Sequence, residues 1–298
     1  NPNDLMGDSA EETWANLQEQ EGQPLVNHAG AETLPPGSIF KIITTAAGLN
    51  NGFDPSSTLT GSNVITLPDT VTELTNYANQ KCNGQDAVTL QTAFALSCNT
   101  AFVEMSEQLG ADELRKYAKA FGVGENYDLG VSTSAGTLGD LPDGAATAQS
   151  AIGQRDVTMT ALQAAVMAGT VANKGTRMQP YLVNRITDAQ MKDVRTTKPK
   201  KADQAVNEET AATLTDLMYA SERSSWGYDG NGFASKTGTA EHGKGLAPHV
   251  WYVAFDPERD IAVGVVVKNG GNLGESATGG KVSGPIGRAI LRAYQGEQ

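Results

Sequence analysis

The sequence predicts an α+β fold in which helices come first, an antiparallel sheet follows, and a last helix covers that sheet. Apolar residues recur at helical spacing through most of the chain, and the spacing changes to that of strands after Asn231. A turn of five polar residues or proline, Asp256 to Asp260, joins the last two predicted strands. With 298 residues, 39% of them hydrophobic, the chain is long enough for one large domain or two small ones.

The helices are predicted from apolar spacing and from residues that begin or end helices. Ser9 and Thr89 stand at helix starts, and the Asn50-Asn51-Gly52 run is a stop signal. No convincing strand is predicted before Ser38. The predicted helices are Ala10 to Gln20, Ser38 to about Asn50, Leu90 to Leu96, Thr100 to Leu109, Asp112 to Phe121, Met159 to Ala172, Glu208 to Ser221 and Gly284 to Tyr294.

The remaining segments are predicted as loops and strands. Residues 53 to 87 are expected to be loop with short extended pieces such as Val64 to Leu67, and residues 122 to 150 are expected to be irregular. The basic cluster from Lys192 to Lys201 is interpreted as a solvated loop. The predicted strands of the C-terminal sheet are Phe233 to Ala240, Val250 to Phe255 and Ile261 to Lys268.

Composition excludes several classes of function. Lys and Arg number 22 against 34 Asp and Glu, a net charge of -12, which disfavours binding to nucleic acid or to an anionic membrane. No apolar run reaches the length of a membrane span or a signal peptide, so no membrane contact is expected within this chain. Two cysteines, and three histidines that are far apart or wrongly spaced, do not match a metal motif, and no metal is expected.

The first candidate site is Ser38 with Lys41. Two prolines and Gly37 precede an apolar run, which places Ser38 at a helix start, with Lys41 on the same face. An alcohol becomes nucleophilic when a neutral amine removes its proton, so this lysine would need a pKa depressed by burial or by a second cation. The alternative is an ordinary surface lysine, and the pair alone does not decide between them.

Two further stretches could line the same site. Ser97 and Asn99 fall in a predicted break between helices, where both could face one cleft, although Ser and Asn also serve as ordinary helix caps. The first C-terminal strand carries Lys236, Thr237, Gly238 and Thr239. A strand edge that offers a cation, hydroxyls and backbone N–H groups suits an extended peptide that ends in a carboxylate, but an ordinary strand start is the alternative.

Taken together and in this order, Ser-x-x-Lys, Ser-x-Asn and Lys-Thr-Gly form a specific motif set. The sequence here resembles the serine acyl-transferases that penicillin inactivates. In particular, it resembles the transpeptidase domain of a class B penicillin-binding protein, similar to the protein called type A in actinobacteria. The likeness covers most of the chain. Other matching stretches are Pro24-Leu25-Val26-Asn27, Ala151-Ile152-Gly153-Gln154, Leu162-Gln163, Ala172-Asn173-Lys174-Gly175 and Trp251.

The resemblance implies a β-lactamase/transpeptidase-like fold over residues 1–298. Residues 53–180 would approximate an all-helical subdomain, and residues 208–298 would form the C-terminal helix and sheet. The family has two strands before the nucleophile helix, whereas the residues before Ser38 do not read as strands. Asn1-Pro2-Asn3 resembles the stretch that follows those strands, so we expect them to be absent from this chain.

The resemblance also implies an enzyme that cross-links peptidoglycan stem peptides and is acylated by β-lactams. Ser38 would attack between two terminal D-alanines, and Lys41 would take its proton. Ser97 and Asn99 would relay the proton and orient the substrate, and Lys236 would add positive potential. Thr237, Gly238 and Thr239 would bind the substrate. No cofactor is implied, and the site would lie on the extracytoplasmic face of the cell membrane, where cell-division or elongation proteins would be partners.

Several alternatives stay open at the level of sequence. A D,D-carboxypeptidase or a β-lactamase shares the constellation, and a β-lactamase would need a carboxylate to activate water, for which Glu125 is a candidate. A non-catalytic penicillin-binding sensor or cell-division scaffold would keep the fold. A Ser-His-Asp hydrolase is disfavoured because no Gly-x-Ser-x-Gly motif occurs. Cys82 and Cys98 would either form a disulfide, as an extracytoplasmic protein permits, or remain free.

Overall fold

The fold is α+β, as predicted from the sequence, in a computed structural model that describes residues 2–243 and 245–296. The helices are α1 (Ala10–Glu19), α2 (Lys41–Leu49), α3 (Leu90–Leu96), α4 (Asn99–Ala120), α5 (Gly144–Ala151), α6 (Ala161–Ala172), α7 (Glu208–Ser224) and α8 (Ser283–Gly296). The strands are β1 (Thr58–Thr60), β2 (Val64–Thr66), β3 (Glu73–Thr75), β4 (Ala87–Thr89), β5 (Thr176–Met178), β6 (Arg185–Thr187), β7 (Asp193–Thr196), β8 (Lys201–Gln204), β9 (Ala234–Ala240), β10 (His249–Asp256) and β11 (Ile261–Val267).

The C-terminal sheet is antiparallel with strand order β11-β10-β9. All eight residues of β10 are buried, because the sheet is covered on both faces. Trp251 and Val253 join the main core on one face, whereas Tyr252 and Ala254 pack with Leu291 of α8 on the other. Among the described strands β9 pairs only with β10, so β9 lies at the edge of this sheet.

Helix α2 runs through the main core. Eight of its nine residues are buried, including the polar residues Lys41, Thr44 and Thr45. Ile42 and Ile43 are fully buried in the cluster that also holds Phe102 of α4 and Met167 of α6. Burial of each such side chain stabilises the fold by about 1.5–3 kcal/mol. The first residue of α2, Lys41, is therefore held inside the protein by the packing of the helix that follows it.

Local capping fixes several predicted helix starts. Thr89 caps α3 by accepting a hydrogen bond from the backbone of Thr92, and Asn207 caps α7 in the same way. Thr160 and Gln163 form a capping box, so α6 begins at Ala161 rather than at the predicted Met159. The two helices predicted on either side of Gly110 form one run, α4, which Gly110 interrupts with a non-helical backbone.

Two predictions about loops are wrong. Helix α5 lies in the segment predicted to be irregular, and Asp143 caps it by accepting a hydrogen bond from Ala146 N at 2.7 Å. The apolar side of α5 consists of small residues, so its pattern is weak. The basic cluster is exposed, as expected, but it contains β7 and the start of β8, which pair with β6 and β5. Backbone pairing overrides the polar composition there.

The disulfide left open by the sequence is formed between Cys82 and Cys98, with a Cα–Cα distance of 5.7 Å. In the described part of the chain, no strand precedes Ser38, as the sequence predicts. Leu34 makes only an isolated bridge with Met159. Within residues 2–243 and 245–296, no helix has the length and apolar character required to cross a membrane.

Candidate active site

Ser38 lies in a short 3-10 turn, Gly37–Phe40, that leads directly into α2. The α-helix therefore begins at Lys41 and not at Ser38, which is a small correction to the predicted helix start. Gly37 has a φ of +54°, and a Cβ built on it would lie 2.8 Å from the carbonyl oxygen of Thr239. Only glycine combines this left-handed backbone with such a close approach. The turn that carries Ser38 is thus packed against β9.

Further hydrogen bonds hold this turn in place. The backbone N–H of Gly37 donates to the carbonyl of Gly153 at 2.9 Å. The indole Nε1 of Trp251, from the central strand, donates to the carbonyl of Pro35 at 2.8 Å. Gly153 and Trp251 lie in stretches of the sequence that resemble the family, but the sequence predicted no role in the site for either of them. Their contacts indicate that they fix the position of the Ser38 turn.

The Lys41 amine is fully buried and contacts the second motif. Its Nζ donates to the carbonyl oxygen of Ser97 and to Oδ1 of Asn99, both at 2.8 Å, and lies 3.3 Å from Ser97 Oγ. Burial, assisted by the charge of Lys236, holds the pKa of Lys41 well below its ordinary value. A neutral amine has two N–H groups and one lone pair. The two carbonyl oxygens accept its protons and leave its lone pair free for a hydroxyl group.

The break between α3 and α4 presents Ser97 and Asn99 to this amine. Ser97 adopts a left-handed conformation with a φ of 61°, which ends α3 and turns its carbonyl and hydroxyl oxygens toward Lys41. Such a conformation costs a non-glycine residue about 1–2 kcal/mol. Asn99 is oriented by its amide, because Nδ2 donates to the carbonyl of Thr75 at 3.1 Å. Cys98, between the two, is tied to Cys82 by the disulfide.

The second lysine, Lys236, is also fully buried. Burial lowers the pKa of Lys236 to about 7, so its ammonium form readily loses a proton near neutral pH. Its Nζ donates to the carbonyl of Thr237 at 3.1 Å and lies 5.8 Å from the ring centre of Phe94. Lys41 lies over Phe102 in a similar way, at 5.2 Å. The two rings form apolar walls beside the two amines.

The rest of the third motif lies along the exposed edge of the sheet. Thr237 and Thr239 are partly exposed, whereas the neighbouring positions on β9 are buried. A Cβ built on Gly238 would lie 2.7 Å from the carbonyl oxygen of Pro36, so glycine is required for β9 to approach the Ser38 turn. Thr239 Oγ1 accepts a hydrogen bond from the backbone N–H of Gly279 at 3.4 Å.

The structure brings all three motifs together. Lys41 contacts both predicted residues of the second motif directly, and the Ser38 turn packs on Gly238 and Thr239. Ser38 Oγ makes no hydrogen bond to another group among residues 2–243 and 245–296. Among the same residues, no cluster of His, Cys, Asp or Glu could hold a metal ion.

Residues 3–292 match the family model of the penicillin-binding protein transpeptidase domain. The chain belongs to this family. The peptidoglycan D,D-transpeptidase PbpA of Mycolicibacterium smegmatis is 44% identical over 291 residues, which are 95% of this chain and 59% of that protein. PbpA of Mycobacterium tuberculosis is 42% identical over 96% of this chain and 60% of its own length.

Solved structures of the transpeptidase family agree with the fold. Penicillin-binding protein A from M. tuberculosis, as a ceftriaxone acyl-enzyme, superposes with a TM-score of 0.91 and 40% identity over 98% of this chain and 66% of that one. The penicillin G acyl-enzyme of the same protein has a TM-score of 0.90 and 41% identity, over 96% of this chain and 66% of that one. The chain spans about three fifths of the length of the curated relatives named above.

Proposed function

We propose that this chain is the transpeptidase domain of a peptidoglycan D,D-transpeptidase, acting on stem peptides and acylated by β-lactams. The observation that carries the proposal is the buried Lys41 amine, with its depressed pKa, held by Ser97 and Asn99 next to the turn of Ser38. Homologues named D,D-transpeptidase and solved penicillin acyl-enzymes support the same assignment.

In the proposed reaction, Ser38 Oγ attacks the carbonyl carbon between two terminal D-alanines while Lys41 accepts the hydroxyl proton. The tetrahedral intermediate collapses when the C–N bond breaks, and the proton reaches the leaving amine through Ser97. Backbone N–H groups of Ser38 and Thr239 would stabilise the oxyanion, each donor contributing about 3 kcal/mol. D-Alanine departs, and an amine of a second stem peptide then attacks the Ser38 ester and releases the hydroxyl.

The substrate would lie along the open edge of β9. Lys236 supplies positive potential beside the site, and it also assists in keeping Lys41 neutral. Thr237 and Thr239 are partly exposed along β9, where they would bind the terminal carboxylate, while Gly238 permits the close approach of the backbone. The enzyme would act on the extracytoplasmic side of the membrane, with cell-division or elongation proteins as partners. Residues 53–180 would form its helical subdomain, which is not all-helical because it holds the short strands β1 to β5 as well as α3 to α6.

Glu125 is poorly suited to the water-activating role of a β-lactamase carboxylate. Its carboxylate pairs with Arg177 at 2.5 Å, and the Arg177 side chain is buried and also bound to the carbonyl of Ala120. A carboxylate held by a buried guanidinium is engaged in that ion pair and is not available to orient a water molecule beside Ser38. This pairing favours a long-lived acyl-enzyme whose ester is cleaved by an amine rather than by water.

Labelling with a fluorescent penicillin tests the proposal. The wild-type protein should form a persistent covalent adduct, and Ser38→Ala should lose it while retaining its thermal unfolding transition. Lys41→Ala should acylate slower by orders of magnitude, because the amine next to the turn of Ser38 is no longer present to accept the hydroxyl proton. A wild-type protein that forms no adduct would defeat the proposal, and rapid release of hydrolysed drug would favour a β-lactamase instead.

A further inference from the structure

A carboxylate with no part in the proposed reaction is buried behind β9. Glu222, near the end of α7, is fully buried. One of its oxygens accepts hydrogen bonds from Arg288 Nε at 2.6 Å and Asn231 Nδ2 at 2.9 Å. The other accepts hydrogen bonds from the hydroxyl of Tyr252 at 3.0 Å and from that of Ser235. Four donors from four different segments thus converge on one side chain.

This carboxylate is charged despite its burial. Burial by itself would raise the pKa of Glu222, but the hydrogen bonds from Arg288, Ser235 and Asn231 outweigh it and lower the pKa below the ordinary value. A buried ion pair is often no more stabilising than well-packed apolar residues of the same volume. The stability of the fold alone therefore gives no strong reason for a charged network at this position.

The network reaches the third motif through Ser235, which directly precedes Lys236 on β9. Successive side chains of a strand point to opposite faces, so Ser235 and Thr237 share one face and Lys236 lies on the other. Tyr252 pairs with Thr237 across β9 and β10. The Glu222 carboxylate therefore holds β9 at Ser235 and holds the cross-strand neighbour of Thr237 at the same time.

β9 needs such an anchor because it is an edge strand. Its outer edge has no neighbouring strand among residues 2–243 and 245–296, so the ladder with β10 holds it on one side only. The opposite end of the network is fixed to the turn after α7. Arg288 donates to the carbonyl of Trp226 at 3.0 Å and also to the hydroxyl of Ser225. The carboxylate thereby connects β9 to α7 and α8.

We propose that Glu222 is a positioning residue of the acylation site, which acts through Ser235 to hold β9 at a fixed distance from the turn of Ser38. The inference rests on the proposed function, because it assigns Glu222 an effect on the acylation rate. A shift of β9 would move the Lys236 amine and the backbone N–H of Thr239 relative to the nucleophile. Small displacements of catalytic groups reduce rates strongly, since the reacting geometry is narrow.

Two serines of the same network provide a matched test. Ser235→Ala removes the hydrogen bond between Glu222 and β9, whereas Ser225→Ala removes a hydrogen bond between Arg288 and the turn after α7. Acylation by penicillin is measured per active site, by titrating the fraction of protein that can be labelled. We expect Ser235→Ala to acylate about tenfold more slowly or worse and Ser225→Ala to stay within about twofold of wild type. Both variants should unfold at similar temperatures.

A second readout separates positioning from a loss of stability. Burial lowers the pKa of Lys236, so a displaced β9 that admits water should raise this pKa. The limb of the acylation pH profile that reports Lys236 should then move to higher pH in Ser235→Ala and remain in place in Ser225→Ala. A merely structural role would change the labelled fraction and leave this profile unchanged.

The outcomes distinguish the inference from the proposed function. If wild type forms the adduct but the two serine variants acylate at equal rates with the same pH profile, the positioning role is wrong and the enzyme assignment stands. If wild type forms no adduct, the enzyme assignment itself fails. Should Ser235→Ala not fold, Tyr252→Phe replaces it in the comparison, because it removes the other hydroxyl from the same oxygen of Glu222.

Discussion

The disulfide between Cys82 and Cys98 should stabilise both the fold and the second motif. It closes a loop with a sequence separation of 16 residues. Loop-closure entropy for this length corresponds to about 3 kcal/mol of stability at 25 °C. The double variant Cys82→Ala/Cys98→Ala should therefore unfold in urea with a free energy lower by about 2–4 kcal/mol. Alanine is chosen because both sites are buried and a serine hydroxyl would be unsatisfied there.

The same variant should also acylate more slowly. Cys98 lies between Ser97, whose left-handed backbone costs about 1–2 kcal/mol, and Asn99, which accepts a hydrogen bond from Lys41. Without the covalent tie, relaxation of Ser97 would release this strain and withdraw its oxygens from the amine. A difference of about 1.4 kcal/mol corresponds to a tenfold slower reaction, which we expect for penicillin labelling per active site.

Reduction of the wild-type protein provides the matched control. A reductant should reproduce both effects in wild type and change neither the stability nor the labelling of the alanine variant. An alanine variant whose unfolding free energy lies within about 0.5 kcal/mol of wild type and whose labelling is unchanged would refute the reasoning.

Three other changes probe the site and its surroundings. Lys236→Met removes the charge that helps to lower the pKa of Lys41, so the acidic limb of the acylation pH profile should move to higher pH; an unmoved limb would contradict this coupling. Gly238→Ala places a methyl group 2.7 Å from the carbonyl oxygen of Pro36. We expect the free energy of unfolding in urea to be lower by about 1–3 kcal/mol and penicillin labelling to be slower. Labelling at the wild-type rate would contradict the role of this contact. Burial lowers the pKa of His249 to about 4, so the unfolded chain binds more protons between about pH 6.5 and pH 4. The free energy of unfolding should therefore fall by about 2–3 kcal/mol in total as the pH decreases through this window. His249→Asn should remove this contribution to the decrease. An equal pH dependence of stability in wild type and variant would refute the role of His249.

Much of the fold follows from local sequence signals. Thr89 and Asn207 mark helix starts because their side chains cap the first turn, and both predicted helices begin where these residues place them. The C-terminal strands follow from their apolar runs and the turn between them. Helix α5 was missed because its small residues give a weak pattern, although Asp143 was a capping signal that could have revealed it.

The identity of the three motifs was fixed by residue type and order alone. Ser38 with Lys41, Ser97 with Asn99, and Lys236 with the residues after it could each be read as ordinary helix or strand sequence. Their combination predicted the family, because few chains carry all three in this order. The sequence also named the condition that Lys41 must satisfy, since only a neutral amine can accept a proton.

How that condition is met was decided by tertiary packing. Lys41 is buried because α2 crosses the core, and its amine is directed to Ser97 and Asn99 by a left-handed break that a disulfide ties down. Desolvation and distance to a second lysine depend on residues far apart in the chain, so no local pattern reports them. The sequence predicted which groups take part in the site, and only the folded structure determined the burial and contacts that set their protonation.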